Sequence, residues 1–341
     1  MNTIGIEYHP RFFCFATYFA LRGMICMIGI ARAPGTCGEL VQGKIGGVNF
    51  LVTCPVNVYS QVTVNLNTSG KVQADRRLPK VKKAVEKTLQ FLGRAEIGAD
   101  VFVLSAIPWG KGMASSSADI IAACTATAVG LGTYITPLEI AGIALSIEPT
   151  DGVMFPGITM FDHVAGTVCR CLGQAPDLEV VIVDLGGFID TLKFNANTEL
   201  DLLNRIKEPK VMQALQKIET GLSARDSRLI GEAATDSAIA NQHMLFKPDL
   251  QRLLEICREV GGVGINVGHS GTVVGLLFEK NSNLTDKAVA ALSEQGFHDL
   301  MNARIIDGGV EVLQEGAGDK VWLTLDIYME EICGKLRRIT G

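Results

Sequence analysis

Residues 107–118 combine two spaced glycines with three consecutive serines, a pattern suited to holding an anion. The run reads Ile-Pro-Trp-Gly-Lys-Gly-Met-Ala-Ser-Ser-Ser-Ala; an apolar, strand-like stretch (101–107) precedes it and a small-residue helical pattern (117–129) follows it. Glycine lets the backbone approach an anion closely. A helix N-terminus offers unpaired N–H groups and a positive dipole end, and a hydroxyl there can ligate a phosphate-bound metal. The sequence therefore predicts a phosphate-binding loop at this point.

A second glycine-rich run, at residues 38–44, matches most of the P-loop pattern. The position after Lys44 is Ile45, where that pattern requires Ser or Thr for Mg²⁺. Residues 48–55 are mostly apolar and carry no helix signal, so the strand–loop–helix context is missing as well. We therefore reject a P-loop here.

The first run resembles the central motif of the GHMP kinases (galacto-, homoserine, mevalonate and phosphomevalonate kinases), which reads Pro-x-Gly-x-Gly-Leu-Gly-Ser-Ser-Ala-Ala. The matching residues are Pro108, Gly110, Gly112, Ser115, Ser116 and Ala118. A serine-capped turn would explain one glycine and one serine, but not the whole run. The resemblance implies that ATP and Mg²⁺ are the cofactors. It also implies that the nucleotide is bound by Pro108, Gly110, Lys111, Gly112, Met113, Ala114, Ser115, Ser116 and Ser117.

The segment 33–43, Ala-Pro-Gly-Thr-Cys-Gly-Glu-Leu-Val-Gln-Gly, is similar to the family's first motif in a compact form. That form resembles one branch, the L-threonine kinases of cobalamin synthesis. In relatives the segment lines the acceptor substrate. The resemblance implies that Glu39 meets an ammonium group and Gln42 a carboxylate. A surface residue in a turn is an equally open interpretation of Glu39.

Two carboxylates follow a predicted helix in the run Glu148-Pro149-Thr150-Asp151-Gly152. Phosphoryl transfer needs positioning and charge neutralisation, and a carboxylate can accept the hydroxyl proton. The family resemblance assigns Glu148 and Ser116 to Mg²⁺ and Asp151 to catalysis as the base. The two carboxylates are closer in sequence than in most relatives, so Asp151 as a substrate ligand stays open. A plain helix end followed by a turn is the third interpretation.

Two later runs complete the predicted acceptor site. Asp162-His163 follows an apolar stretch, and it is either an acid–base pair, an amino-acid contact or a structural pair. The glycine-rich run 261–273 resembles the third GHMP motif, which packs on the phosphate loop and the acceptor. The resemblance implies substrate contacts from Gly268, Ser270 and Gly271; a β-hairpin with a glycine turn is the alternative.

The hydrophobic pattern predicts a mixed chain in two halves. Strands are expected at 25–33, 48–53, 61–66, 101–107 and 180–184, and helices at 78–92, 117–129 and 138–147. Thr136 and Pro137 mark the start of the last helix. Residues 200–260 are expected to be helical, 261–278 strand–turn–strand, 285–295 helical, and 303–312 a turn with a strand. The resemblance implies an α+β fold with a ribosomal S5 domain 2-like N-terminal domain (24–184) and a ferredoxin-like C-terminal domain (185–341).

Composition excludes several classes. The 341 residues carry a net charge of −5, which gives no basic footprint for nucleic acid. Nine cysteines without a CxxC pair indicate free thiols in a cytoplasmic protein. Residues 12–21 are mostly apolar but too short to span a bilayer. Residues 1–23 are therefore a doubtful extension, with a membrane tether as the lesser alternative, and no membrane partner is expected.

Together the resemblances imply an ATP-dependent kinase that phosphorylates the hydroxyl of L-threonine. The product would be O-phospho-L-threonine, for the aminopropanol linker of adenosylcobalamin. A homodimer is possible. The alternatives are homoserine kinase or another small-molecule GHMP kinase, and a catalytically silent GHMP-fold binding or regulatory protein. The acidic balance makes an RNA-binding role a poor third option.

Overall fold

The computed structural model describes residues 27–187, 200–280 and 283–313. The doubtful extension predicted at 1–23 lies outside these residues.

Within the described part, the strands form one mixed, mostly antiparallel sheet. Its main path runs β10-β7-β9-β8-β1-β2-β4-β3, with β11 beside β1, β5 beside β2 and β6 beside β5. The strands are β1 (Ile28–Ile45), β2 (Val48–Asn67), β3 (Val72–Gln73), β4 (Gly98–Ser105), β5 (Ile158–Phe161), β6 (Cys169–Gly173), β7 (Leu178–Asp184), β8 (Gly264–Val267), β9 (Val273–Glu279), β10 (Leu300–Arg304) and β11 (Glu311–Val312).

Strands β1 and β2 form a long hairpin that runs through the first motif. Its turn is Gly46-Gly47, with φ of 57° and 86°, as the two-residue turn of a twisted hairpin requires. The glycine-rich run 38–44 lies inside β1 and is followed by this turn and β2. The rejection of a P-loop is therefore confirmed, because no helix follows the run.

The described helices agree closely with the hydrophobic pattern. They are α1 (Pro79–Phe91), α2 (Ser115–Gly130), α3 (Pro137–Leu145), α4 (Leu200–Ala224), α5 (Ser227–Asn241), α6 (Leu250–Val260) and α7 (Leu284–Glu294). Thr136 caps α3 by accepting a hydrogen bond from Glu139 N, while the Glu139 carboxylate accepts from Thr136 N, a capping box with Pro137 at the first position. Helix α2 is rich in alanine and buried along nearly its whole length.

Two apolar clusters stabilise the chain. The larger one joins α1, α2 and α3 to β1, β2 and β4, and it extends to α4. The smaller one lies between α6, α7 and the strands β7, β8 and β9. The predicted α+β fold class is confirmed. Strand β7, which precedes the predicted boundary at 184/185, pairs with β9 and β10 of the second half; the boundary itself stays a prediction.

The cysteines that the structure describes are free thiols; four are buried, and Cys169 and Cys171 are half-buried. In the same residues we find no helix with the length and apolar character needed to cross a bilayer.

Candidate active site

The predicted phosphate loop joins β4 to the N-terminus of α2. Gly110 and Gly112 have φ of 71° and 80°, in the left-handed region that favours glycine. Ala114 is the N-cap residue of α2, with φ of 57°, and no side chain caps the helix. The first backbone N–H groups of α2 are therefore left without a capping side chain, as an anion site requires.

The third glycine-rich motif packs directly on this loop. The Lys111 carbonyl accepts hydrogen bonds from Thr272 N at 3.0 Å and Val273 N at 3.3 Å. A Cβ added to Gly112 would lie 2.5 Å from Gly271 Cα, and one added to Gly271 would lie 2.1 Å from Lys111 O. Two backbones thus approach each other at a distance that only glycine permits. The hairpin alternative also describes this segment, since β8 and β9 pair across it.

We predict that Gly112→Ala destabilises the chain much more than a matched glycine variant. Overpacking costs about 1–3 kcal/mol and the left-handed conformation about 1–2 kcal/mol more. Gly132 has φ of 68° with nothing within 4 Å of an added Cβ, so Gly132→Ala isolates the conformational cost. The two variants are compared by denaturant unfolding. Equal losses would mean that the Gly112–Gly271 contact contributes nothing.

Two lysines hold the loop and the motif together. Lys111 Nζ lies 2.6 Å from Asp184 Oδ2, and Thr272 Oγ1 donates to Asp184 Oδ1 at 2.5 Å. Burial alone would raise the pKa of Asp184, but hydrogen bonds from Lys111, Thr272 and Gly186 lower it. Buried Lys247 donates to Gly271 O at 2.6 Å, and burial lowers its pKa to about 8.

The two candidate carboxylates meet consecutive serines at the start of α2. Ser116 Oγ donates to Glu148 Oε1, and Lys80 of α1 donates to Glu148 Oε2. Ser117 Oγ lies 3.1 Å from Asp151 Oδ2 and accepts a hydrogen bond from Asp151 N at 3.2 Å. Glu148 and Asp151, which are three residues apart, thus bind two adjacent serines. Both carboxylates therefore lie beside the phosphate loop.

Asp151 and Glu39 are both acids with raised pKa values, and the charge of Asp151 acts on Glu39. Burial raises the pKa of Asp151, although the hydrogen bond from Ser117 opposes this. Burial also raises the pKa of Glu39 well above its ordinary value, and the charge of Asp151 raises it further. Such groups are typical of sites that bind a cation or move a proton.

Glu39 lies where the two halves of the sheet meet. Its backbone pairs with Thr53 of β2 and with Val267 of β8, between two irregularities in the register of β1. Asn266 Nδ2 donates to Cys37 O across this junction. Glu39 is 2% exposed, so the surface-turn interpretation of this residue is wrong.

Gln42 lies on the same strand. Its Nε2 donates to Val267 O at 3.2 Å, and its backbone N–H donates to Ser237 Oγ of α5 at 3.0 Å. These bonds fix the amide against β8 and leave Gln42 Oε1 without a partner in the described structure.

Asp162 and His163 have different surroundings. The Asp162 carboxylate accepts hydrogen bonds from the backbone of Val164, Ala165 and Thr167 and from Thr167 Oγ1. Burial alone would raise the pKa of Asp162, but these hydrogen bonds lower it below its ordinary value. The carboxylate is thus bound to its own loop, and its role as a substrate contact stays a prediction.

His163 instead packs against the third motif. Its ring lies 4.9 Å from that of His269, edge to face. Burial lowers the pKa of His163 to about 4, although Asp162 opposes this, and burial lowers that of His269 to about 3. Both rings are therefore neutral at pH 7.

The turn between β8 and β9 also contains Gly268, which is buried, and Ser270, which is half-buried.

Buried polar atoms without a partner are concentrated here. In the described residues they are Thr36 Oγ1, Glu39 Oε2, Gln42 Oε1, Thr150 Oγ1 and His163 Nδ1. They belong to two segments, 36–42 and 150–163, which the Glu39–Asp151 interaction links. Because buried polar atoms are nearly always paired, this concentration indicates a site for a small polar ligand next to the phosphate loop.

The donor set fits magnesium held together with a phosphate ligand. No group of three or more His, Cys, Asp or Glu side chains in the described residues could hold a metal by itself. Mg²⁺ is commonly bound through one or two carboxylates with substrate phosphates and water. Ser116 and Glu148 at the uncapped end of α2 match that requirement.

Several polar residues of this region were not predicted from the sequence. They are Lys80, which pairs with Glu148, and the buried lysines Lys207 and Lys247. The residue type gives no signal of burial in the sequence, since lysine is mostly exposed in proteins.

Comparison with known proteins gives two family matches. Residues 79–158 match the model of the GHMP kinases N terminal domain, and residues 204–298 match that of the GHMP kinases C terminal. An L-threonine kinase of Citrobacter freundii is 36% identical over 293 residues, covering 84% of this chain and 100% of the relative. A homoserine kinase of Pyrobaculum islandicum is 25% identical over 306 residues, covering 82% and 98%.

The fold is similar to that of solved kinases. The crystal structure of a homoserine kinase from Cytophaga hutchinsonii aligns with a TM-score of 0.66 at 17% identity, covering 85% of this chain and 98% of that one. This likeness concerns the fold alone.

Proposed function

The chain belongs to the GHMP kinase family, and we propose that it transfers the terminal phosphoryl group of ATP to the hydroxyl of L-threonine. It is a small-molecule kinase by that membership. The observation that carries the proposal is the pair of contacts Ser116–Glu148 and Ser117–Asp151 at the uncapped start of α2. They bring two carboxylates to the phosphate loop, where one can serve the metal and the other the acceptor.

The loop residues bind and orient the phosphates. The glycines allow close backbone approach, and the N–H groups at the start of α2 face the negative charge. Mg²⁺, when bound by Ser116 and Glu148, neutralises charge on the transferring group. Ser117 orients Asp151, whose raised pKa suits it to accept the proton of the attacking hydroxyl.

The unpartnered buried atoms form the acceptor subsite. Glu39 is a buried acid whose ionised form needs a cation, and the ammonium group of an amino acid supplies one. Gln42 Oε1, Thr150 Oγ1 and His163 Nδ1 provide further polar contacts. A small amino acid with a hydroxyl group fits this set, and the 36% identity to an L-threonine kinase supports L-threonine.

The wider role follows from the motif resemblance. O-phospho-L-threonine is proposed to feed the aminopropanol linker of adenosylcobalamin, in the cytoplasm. We retain a homodimer as part of the proposal.

A direct test measures ADP release from ATP and Mg²⁺ with four acceptors offered separately: L-threonine, L-homoserine, L-serine and mevalonate. We expect a preference of at least about tenfold in kcat/KM for L-threonine over L-homoserine, an isomer that carries its hydroxyl on the γ-carbon instead of the β-carbon, since a misplaced reacting oxygen loses the attack geometry. Preference for L-homoserine would keep the kinase and remove the threonine assignment. Nucleotide binding without turnover of any acceptor would favour a silent binding protein.

A further inference from the structure

Lys207 is a buried cation that the reaction described above does not use. It is 5% exposed, and its Nζ donates to the amide oxygen of Asn241 on α5 at 3.0 Å. No carboxylate among the described residues pairs with it. Burial lowers its pKa to about 8. Buried charges are normally paired, so an unpaired ammonium indicates that an anion from outside the chain completes the site.

The second buried lysine, Lys247, differs from Lys207 in the charges that surround it. Lys247 also has a neutral hydrogen-bond partner, Gly271 O, but the charge of Asp184 acts on it and raises its pKa against the effect of burial. Asp184 in turn binds Lys111 and Thr272. Lys247 is therefore part of an internal charge network beside the phosphate loop, whereas Lys207 is not.

Lys207 lies on the face of α4 that packs on β1, the strand that carries Glu39 and Gln42. One turn further along α4, Val211 Cγ1 lies 2.8 Å from where a Cβ would stand on Gly43, the residue after Gln42. Residues i and i+4 share one face of a helix, so Lys207 and Val211 both face β1. The charge of Lys207 acts on His269 and lowers its pKa, and His269 contacts His163.

We infer that Lys207 binds the α-carboxylate of the amino-acid acceptor and so selects carboxylate-bearing substrates. This inference rests on the proposed function. The subsite contains a buried acid, Glu39, for the ammonium group of the ligand, and Lys207 supplies the opposite charge. A zwitterion satisfies both groups at once, whereas an acceptor without a carboxylate leaves the ammonium of Lys207 unpaired.

The test compares L-threonine with L-threoninamide, which keeps the hydroxyl and the amine but replaces the carboxylate with a neutral amide. We expect the wild-type enzyme to prefer L-threonine by about 100-fold in kcat/KM, as charge-assisted hydrogen bonds in a buried site allow. In Lys207→Met, kcat/KM for L-threonine falls by about that factor through KM, and the value for L-threoninamide changes less than about threefold. KM for ATP stays as in the wild type.

Three further variants separate the effect of charge from that of packing. Lys210 is exposed on the same helix, and Lys210→Met leaves both acceptors unchanged. Lys207→Arg retains the charge and recovers part of the preference, while Lys207→Gln, which can still bond Asn241, recovers none. Lys207→Met removes the cost of an unpaired buried ammonium but leaves the buried amide oxygen of Asn241 without its donor, so its thermal midpoint is measured to verify that the variant is folded.

The outcomes distinguish this inference from the proposed function. A preference that survives in Lys207→Met, or an equal loss with both acceptors, overturns the role of Lys207 alone. If the wild-type enzyme phosphorylates L-homoserine instead of L-threonine, the threonine assignment fails, and the same comparison with L-homoserine and its amide decides the role of Lys207. If it neither phosphorylates nor binds these amino acids by calorimetry, both proposals are overturned.

Discussion

Asp151→Asn is expected to lower kcat for the amino-acid acceptor by about 10²- to 10⁴-fold, the range of a lost general base. The amide keeps the shape of the side chain and can still bond Ser117, but it cannot accept the hydroxyl proton. Since the side-chain hydrogen bond of Asp151 in the described structure is to Ser117, which the amide can keep, KM for ATP should change less than about threefold. Steady-state kinetics with both substrates varied measures the two effects.

The raised pKa of Asp151 also predicts how kcat depends on pH. Burial raises the pKa of Asp151, so its ionised, proton-accepting form is lost at a higher pH than for an ordinary aspartate. The kcat of the wild-type enzyme should therefore fall as the pH decreases, with an acid limb above the ordinary aspartate pKa of about 3.9. In Asp151→Asn that limb should be absent from the residual rate.

A second buried aspartate provides the control. Asp119 lies on α2, is 4% exposed and accepts a hydrogen bond from Ser60 at 2.5 Å; burial raises its pKa too. Asp119→Asn makes the same chemical change, keeps an oxygen that can accept from Ser60 and touches no reacting group, so kcat should stay within about threefold of the wild-type value. An equal kcat loss in both variants, or an unchanged kcat in Asp151→Asn, would remove Asp151 from the role of base.

The parts of this site that depend on local backbone chemistry were predictable from the sequence. The glycines before a small-residue helix predicted a tight loop at a helix N-terminus, and the structure has left-handed backbone at Gly110 and Gly112 followed by α2. Thr136 and Pro137 likewise predicted the start of α3. In each case the residue type restricts φ or supplies a cap, so the signal lies within a few positions.

The long hairpin could not be predicted in the same way. The first predicted strand ended at residue 33, and two separate strands were predicted at 48–53 and 61–66, whereas β1 continues to Ile45 and β2 is unbroken from Val48 to Asn67. Pro34 and Pro55 interrupt the alternating pattern, and proline normally ends a central strand. In the structure the register of β1 against β2 shifts next to these residues. Pairing across the sheet maintains the strands there, and that pairing is non-local.

The non-local contacts of the charged residues could not be predicted from the sequence either. Lysine is almost always exposed, so the residue type argues against burial, although the i, i+4 spacing places Lys207 on the same face of α4 as the buried Val211. The packing of α4 on β1 and α5 buries Lys207 and leaves Lys210 exposed. The partnership of Lys80 with Glu148 joins α1 to the end of α3 in the same non-local manner.

Glu148→Gln is expected to reduce kcat by about 10²- to 10³-fold at ordinary magnesium concentrations, the scale of losing one electrostatic contact to the transition state. A neutral amide is a poor ligand for Mg²⁺, which prefers carboxylate oxygen. Raising the magnesium concentration should therefore recover part of the rate in this variant. Ser116→Ala removes the neighbouring hydroxyl and should show the same dependence more weakly. Initial rates measured over a magnesium titration give both values.

Lys80→Met decides whether the carboxylate of Glu148 acts on the metal or only on its neighbours. Glu148 binds both Ser116 and Lys80, so a purely structural ion pair would make Lys80→Met as damaging as Glu148→Gln. Lys80 is half exposed, and such an ion pair contributes about 1 kcal/mol or less. If Glu148 holds the metal, Lys80→Met leaves kcat within about fivefold and does not raise the magnesium requirement, because its carboxylate ligand is intact. Equal losses in the two variants, both insensitive to magnesium, would assign Glu148 to the structure and not to the metal.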